Sequence, residues 1–170
     1  PTETIELPSK GLLYPEENPL SSGKVEIKYM TAREEDILTN TSYISDGTVL
    51  DKLLQSLIVS KDIDYNDLII GDKNALLISA RILGYGNDYD FMWMGEQVKA
   101  DLSQMDNKKI DESIFEKGKN EFSYTFPTSG TTITFKYLNH ADEIAVNKEI
   151  KGLQKLNKDA NPLISTRIKR

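Results

Sequence analysis

The chain has 170 residues, 38% of them hydrophobic, a formal net charge of −6 and no cysteine. That length suffices for one ordinary domain or two small ones, and the missing cysteines exclude disulfides, thiolate metal sites and cysteine nucleophiles. The longest apolar stretches, such as Leu76-Leu77-Ile78 and Phe91-Met92-Trp93-Met94, are far too short to span a bilayer, and no signal peptide is visible, so a soluble intracellular protein is expected.

The start at Pro1 is compatible with trimming at the front. Charge is unevenly spread. Residues 147–170 carry seven Lys/Arg against two Asp/Glu, a local +5, which leaves −11 for residues 1–146. An acidic body argues against broad nucleic-acid binding, which needs a basic face to displace counterions. The basic tail has two readings: a nucleic-acid contact, or cations favoured by the dipole on the last turns of a helix.

Ile5 and Leu7 alternate with Glu6 and then meet the turn signal Pro8-Ser9-Lys10-Gly11. Residues 15–23 read as a polar loop. Val25, Ile27 and Tyr29 alternate with Lys24, Glu26 and Lys28, the pattern of a strand with one buried face. At Thr31 the period changes: Thr31-Ala32-Arg33-Glu34 is a capping box opening a short helix to about Leu38. Asp46-Gly47 is a turn and Thr48 can cap the next helix. Leu50, Leu53, Leu54, Leu57 and Ile58 then form the clearest helical stripe in the chain. Asp72 is expected to cap a third helix running through Leu76, Leu77, Ala80 and Leu83, with Gly84 as its left-handed end.

From Tyr89 the pattern turns to strand. Tyr89, Phe91 and Trp93 share a face, Gly95-Glu96 predicts a tight turn, and Val98, Ala100 and Leu102 share a face on the return. Residues 106–119 read as loop. Phe122, Tyr124 and Phe126, then Pro127 to Gly130, then Ile133, Phe135 and Tyr137 predict a second hairpin with aromatic pairs across it. Asn139 can cap a long helix with the stripe Val146, Ile150, Leu153 and Leu156. Asn157 to Pro162 is a break, and Leu163 to Arg170 looks like the start of another helix with no stop signal, which leaves room for a continuation.

Chemistry-bearing constellations are sparse. The single histidine, His140, is read as a surface residue beside a helix start, with Asp142 as a first-turn carboxylate. Gly84-Tyr85-Gly86 opens like a dinucleotide fingerprint, but Tyr89 takes the third glycine position. Asp62-Ile63-Asp64-Tyr65-Asn66 matches the first ligand spacings of a calcium loop. Asp67 then stands where glycine must turn, and Lys73 where glutamate is needed, so helix-capping aspartates are expected instead. In Phe91-Met92-Trp93-Met94 both strand faces are apolar. That fits a central strand covered on both sides, or a partner surface rich in Trp and Met. Leu12, Leu13 and Tyr14 likewise either anchor a partner or pack on the first helix.

Four runs carry a resemblance to a known family. They are Glu6-Leu7-Pro8-Ser9-Lys10-Gly11 with Tyr14-Pro15; Tyr29-Met30-Thr31-Ala32-Arg33-Glu34-Glu35-Asp36-Ile37-Leu38; Gly47-Thr48-Val49-Leu50-Asp51-Lys52-Leu53-Leu54; and Ala80-Arg81-Ile82-Leu83-Gly84-Tyr85-Gly86. Taken in order, they resemble the baseplate hub assembly proteins of T-even-type contractile-tailed phages. The second half is similar only more loosely. The resemblance implies a virus-encoded protein acting in the infected bacterial cytoplasm, as an assembly chaperone or a structural subunit of the tail baseplate hub in the virion. Some members of that family place Cys-x-x-Cys pairs, suggesting a zinc ribbon, in the region of Phe91 to Leu102. Here hairpin packing would have to replace the metal.

The expected architecture is α+β: an N-terminal β segment, a helical middle, two β-hairpins and a C-terminal helix. Its expected divisions are 1–86, a zinc-ribbon-like but metal-free 87–138, and 139–170. No enzymatic activity, cofactor or metal is expected. Partners would be other baseplate hub or tail proteins, met through Leu12, Leu13, Tyr14, Phe91, Met92, Trp93 and Met94. The alternative is a nucleic-acid-binding regulator using Lys148, Lys151, Lys155, Lys158, Arg167, Lys169 and Arg170.

Overall fold

Thr2–Glu6 (β1) pairs antiparallel with Lys24–Lys28 (β2), Ile5 opposite Val25, in the computed structural model, which describes residues 1–158 and 161–170. The alternation of the second strand works as its sequence suggests: Val25 and Ile27 are buried while Lys24 and Glu26 face out. Ile58 and Val59 line the free side of β2, with the Val59 amide donating to the Glu26 carbonyl at 3.0 Å. Between the strands, the loop at Lys10-Gly11 crosses the loop at Ser21-Gly23 backbone to backbone. A side chain at Gly11 would lie 2.3 Å from the Ser21 carbonyl oxygen, and its φ of +76° is left-handed, so only glycine fits.

The helical middle follows. Ala32–Leu38 is α1, Thr41–Asp46 α2, Val49–Leu57 α3 and Ile70–Tyr85 α4. The α2 helix is not foreseen by the apolar pattern, because it has no stripe. Asn40 starts it by accepting from the Ser42 and Tyr43 amides, and Gly47 ends it at φ +70°. In α3 the stripe buries Leu53, Leu54 and Leu57, whereas Leu50 stays half exposed. The core joins these residues to Leu7, Leu13, Leu20, Ile27, Leu68 and Leu76.

Two expectations for α4 are corrected. Asp72 lies inside the first turn, not before it, and is buried. Gly84 is helical; the helix ends at Gly86, whose φ is positive at +83° but whose ψ of 176° is extended rather than left-handed helical. Gly84 instead gives room to Met30, whose Cε would lie 1.9 Å from an added Cβ.

Asp88–Trp93 (β3) and Glu96–Asp101 (β4) form a hairpin, as do Phe122–Thr125 (β5) and Thr132–Phe135 (β6). The first turns one residue earlier than expected. Met94 and Gly95 both have positive φ, +50° and +86°, the combination a two-residue hairpin turn with matching twist requires. The second places Phe122 opposite Phe135, their rings stacked at 5.6 Å. His140–Leu156 (α5) starts at Asn139, which caps the Asp142 amide while the Asp142 carboxylate reaches back. Leu163–Ile168 (α6) closes the chain. The start of α5 is tied to that of α4 by a backbone clasp: the Ile70 amide donates to the Leu138 carbonyl at 3.0 Å and the His140 amide to the Leu68 carbonyl at 2.9 Å. The architecture is α+β, with three separate two-stranded sheets among the described residues. No helix is long and apolar enough to cross a membrane among them.

The capping glutamate of α1 does more than cap. Glu34 is fully buried, and its carboxylate receives the Thr31 amide at 3.0 Å, the Thr31 hydroxyl at 2.5 Å, the Ser56 hydroxyl at 2.6 Å and the Lys28 ammonium at 2.8 Å. It therefore joins β2, α1 and α3. Burial alone would raise its pKa, but the bonds from Lys28, Ser56 and Thr31 outweigh that and bring it from 4.5 down to about 2. A carboxylate depressed in the folded state stabilises above its unfolded pKa and loses that contribution as pH falls through the folded one. Stability is therefore expected to drop by on the order of 3 kcal/mol between about pH 5 and pH 2. Urea unfolding across that window should show the drop, and Glu34→Gln should remove much of the slope.

Candidate functional site

The residues singled out at the N-terminal turn are placed mainly inside. Leu13 belongs to the core and Tyr14 is only 3% exposed; Leu12 is half-buried. Leu13 and Tyr14 are thus not surface anchors, and Tyr14 is tied to the start of α4. Its hydroxyl donates to Asp72 Oδ2 at 2.6 Å and accepts from the Ile69 amide at 3.0 Å. Asp72 also takes the Ser9 amide at 2.9 Å and the Ser9 hydroxyl at 2.6 Å. Burial, and then the Asp72 charge, push the Tyr14 hydroxyl well above its ordinary pKa, so it stays a donor.

The other candidate run lies outside. Phe91 is half-buried against Tyr89, but Met92, Trp93 and Met94 are 65%, 62% and 89% exposed. The expectation of a strand covered on both faces is overturned. Its sheet has only two strands, and Met94 sits in the turn, where no neighbouring strand can reach. The hairpin is anchored at its other end, where the Arg81 guanidinium donates to the Gly86 and Asp88 carbonyls and lies over the Tyr85 and Tyr89 rings. The β5–β6 hairpin also shows rings to solvent: Tyr124, Phe126, Phe135 and Tyr137 are exposed. Large exposed aromatic and methionine clusters are unusual on a surface that meets only water.

A polar cluster that the sequence does not announce lies between α3, α4 and α5. Lys73 is buried, and its ammonium reaches Asp51 Oδ1 at 3.4 Å, His140 Nδ1 at 3.3 Å and the Glu143 carboxylate. The Tyr65 hydroxyl donates to Asp51 at 2.7 Å, and its ring meets the His140 ring edge-on at 4.6 Å. Burial, and then the bond to Asp51, push the Tyr65 hydroxyl above its ordinary pKa. His140 is therefore buried, not a surface residue. The ammonium of Lys73 fills the space between the two carboxylates. The five residues are scattered from 51 to 143, so spacing hides them. One signal was present: Lys73 shares the apolar stripe of Leu76, Leu77 and Ala80, and a charge on a core face needs partners.

The calcium-like segment resolves as expected into a cap: Asp64 accepts from the Asn66 amide, and Asp67 accepts from Asn18. Of the basic tail, Lys155 lies in the last turn of α5 and Arg167 in that of α6. Lys148, Lys151 and Lys155 recur at the spacing of one helix face and line a groove between α5 and α3, together with Lys52. Comparison of the chain with protein family models, curated proteins and solved structures finds no match.

Proposed function

We propose that this chain works by binding proteins, as an assembly factor or structural subunit of a phage tail baseplate hub, in the infected bacterial cytoplasm and, as a subunit, in the virion. The phage setting rests on the resemblance carried by the four N-terminal runs. The binding mode rests on one observation: Met92, Trp93 and Met94 stand exposed together at the tip of a two-stranded hairpin. Trp is the side chain most often found at energetic centres of interfaces, and Met adapts to irregular partner surfaces. A lone hairpin gains little from staying ordered by itself, so cover from a hub subunit would stabilise it.

The test is co-expression with the hub proteins of the same phage. Trp93→Ser with Met94→Ser is expected to weaken co-purification at least thirtyfold, about 2 kcal/mol. Thermal unfolding should be unchanged, because neither side chain touches the core. Binding that survives the double change would reject the tip as the contact. Mass spectrometry of finished particles and of assembly intermediates separates the two roles: presence in intermediates alone means a chaperone, presence in both a subunit.

A further inference from the structure

The groove between α3 and α5 has a volume of about 910 Å³ and adjoins a second hollow of about 330 Å³. Leu50 and Leu77 line both, so the two hollows adjoin along these side chains. The two differ in character. The smaller hollow is almost wholly apolar, walled by Met30, Leu53, Tyr85 and Tyr89. The larger is floored in part by Leu50, Leu77 and Ile144 and rimmed by Lys52 on α3 and Lys148, Lys151 and Lys155 on α5. All four lysines are exposed, and none is in an ion pair with another described residue.

We infer that this groove binds an acidic amphipathic helix of a partner protein, its apolar face on Leu50, Leu77 and Ile144 and its carboxylates against the four lysines. The inference goes beyond the hairpin-tip reading and stands without it. Charge selects the partner: Asp51 and Glu143 in the groove are already paired with Lys73, which leaves four lysines against Asp46 at the rim, on a chain whose first 146 residues carry −11, so a basic segment would be drawn elsewhere. Backbone chemistry selects the helix. The groove walls are themselves helices, whose amides and carbonyls are spent internally. An extended peptide would bury its own backbone groups without partners there, whereas a helix satisfies them itself. A nucleic acid fits less well. Its phosphates would meet the apolar floor of Leu50, Leu77 and Ile144, which offers them no hydrogen-bond donor.

The test uses two labelled synthetic peptides of about 18 residues, a length of roughly 27 Å as helix. Both carry Leu at i, i+3, i+4 and i+7; one has Glu at the remaining positions and the other Lys. Single-stranded and duplex DNA complete the set, all titrated into the full chain by fluorescence anisotropy. The Glu peptide is expected to bind and the Lys peptide not. K148E with K151E, both on the exposed face, should weaken the Glu peptide at least tenfold, and so should Leu50→Asp, with circular dichroism unchanged. The Trp93/Met94 double variant should bind it as the parent does, which separates this site from the hairpin tip. Absence of Glu-peptide binding, equal binding by K148E/K151E, or tighter binding of DNA lost in that variant would each overturn the inference. So would a concentration-dependent dimer in sedimentation that the same variant abolishes, since a second copy would then be the occupant.

Discussion

Asp72→Ala is expected to cost about 3–5 kcal/mol of folding stability, a large part of the 5–15 kcal/mol typical of a domain. The carboxylate is buried and receives three hydrogen bonds, from the Ser9 amide, the Ser9 hydroxyl and the Tyr14 hydroxyl. It also sits in the first turn of α4, where a negative charge suits the helix dipole. Alanine leaves a buried phenol and an amide with no acceptor, and it releases the N-terminal turn from α4 together with the chain around it. Tyr14→Phe is the graded comparison. It removes one hydroxyl and leaves the Ile69 amide unmet, a loss of about 1–2 kcal/mol. Urea midpoints at constant slope would measure both. An Asp72→Ala loss no larger than that of Tyr14→Phe would mean that Ser9 contributes nothing.

Lys73→Met is expected to cost a similar 3–5 kcal/mol. Methionine fills much of the same volume, so the loss would come from charge. Asp51 and Glu143 would face each other with no cation between them, close to His140 and the Tyr65 hydroxyl. Adding Glu143→Gln to the methionine variant should restore part of the stability, because one carboxylate then loses its charge. Chemical unfolding of the parent, the single variant and the double variant measures this directly. A single-variant loss under about 1 kcal/mol would place the cluster with solvent-screened surface pairs.

Local signals are legible in this sequence and non-local ones are not. The Thr31–Glu34 and Asn139–Asp142 boxes, the β5–β6 hairpin and the α3 stripe each complete themselves within a few residues, so spacing alone exposes them. Tyr14 and His140 were misplaced because their partners lie 58 and 67 residues away, at Asp72 and Lys73. The cover on Phe91-Met92-Trp93-Met94 was misjudged for a related reason. Alternation reports which faces are apolar, not whether a third strand exists to cover them. The motif residues behind the family resemblance are largely structural: Ser9, Gly11, Tyr14 and Glu34 hold loops and helices together. They mark a scaffold, and the exposed groups that would do the work lie mainly outside those runs, at the hairpin tip and on α5, with Leu50 and Lys52 of the third run as the exceptions.

The clasp between Leu68–Ile70 and Leu138–His140 closes a long excursion of the chain at its base. With both ends pinned by backbone hydrogen bonds, lengthening the excursion away from its own contacts with the body (Phe115 on the core and the Gly118 amide on the Leu12 carbonyl) raises mainly the closure entropy, by about 0.6 kcal/mol for each doubling. Insertions at the tips of the excursion, away from Phe115 and Gly118, should therefore accumulate cheaply over evolutionary time, while α3, α4 and α5 keep their mutual placement. Divergence in hairpin length and decoration, against a conserved helical frame, is the pattern this geometry favours.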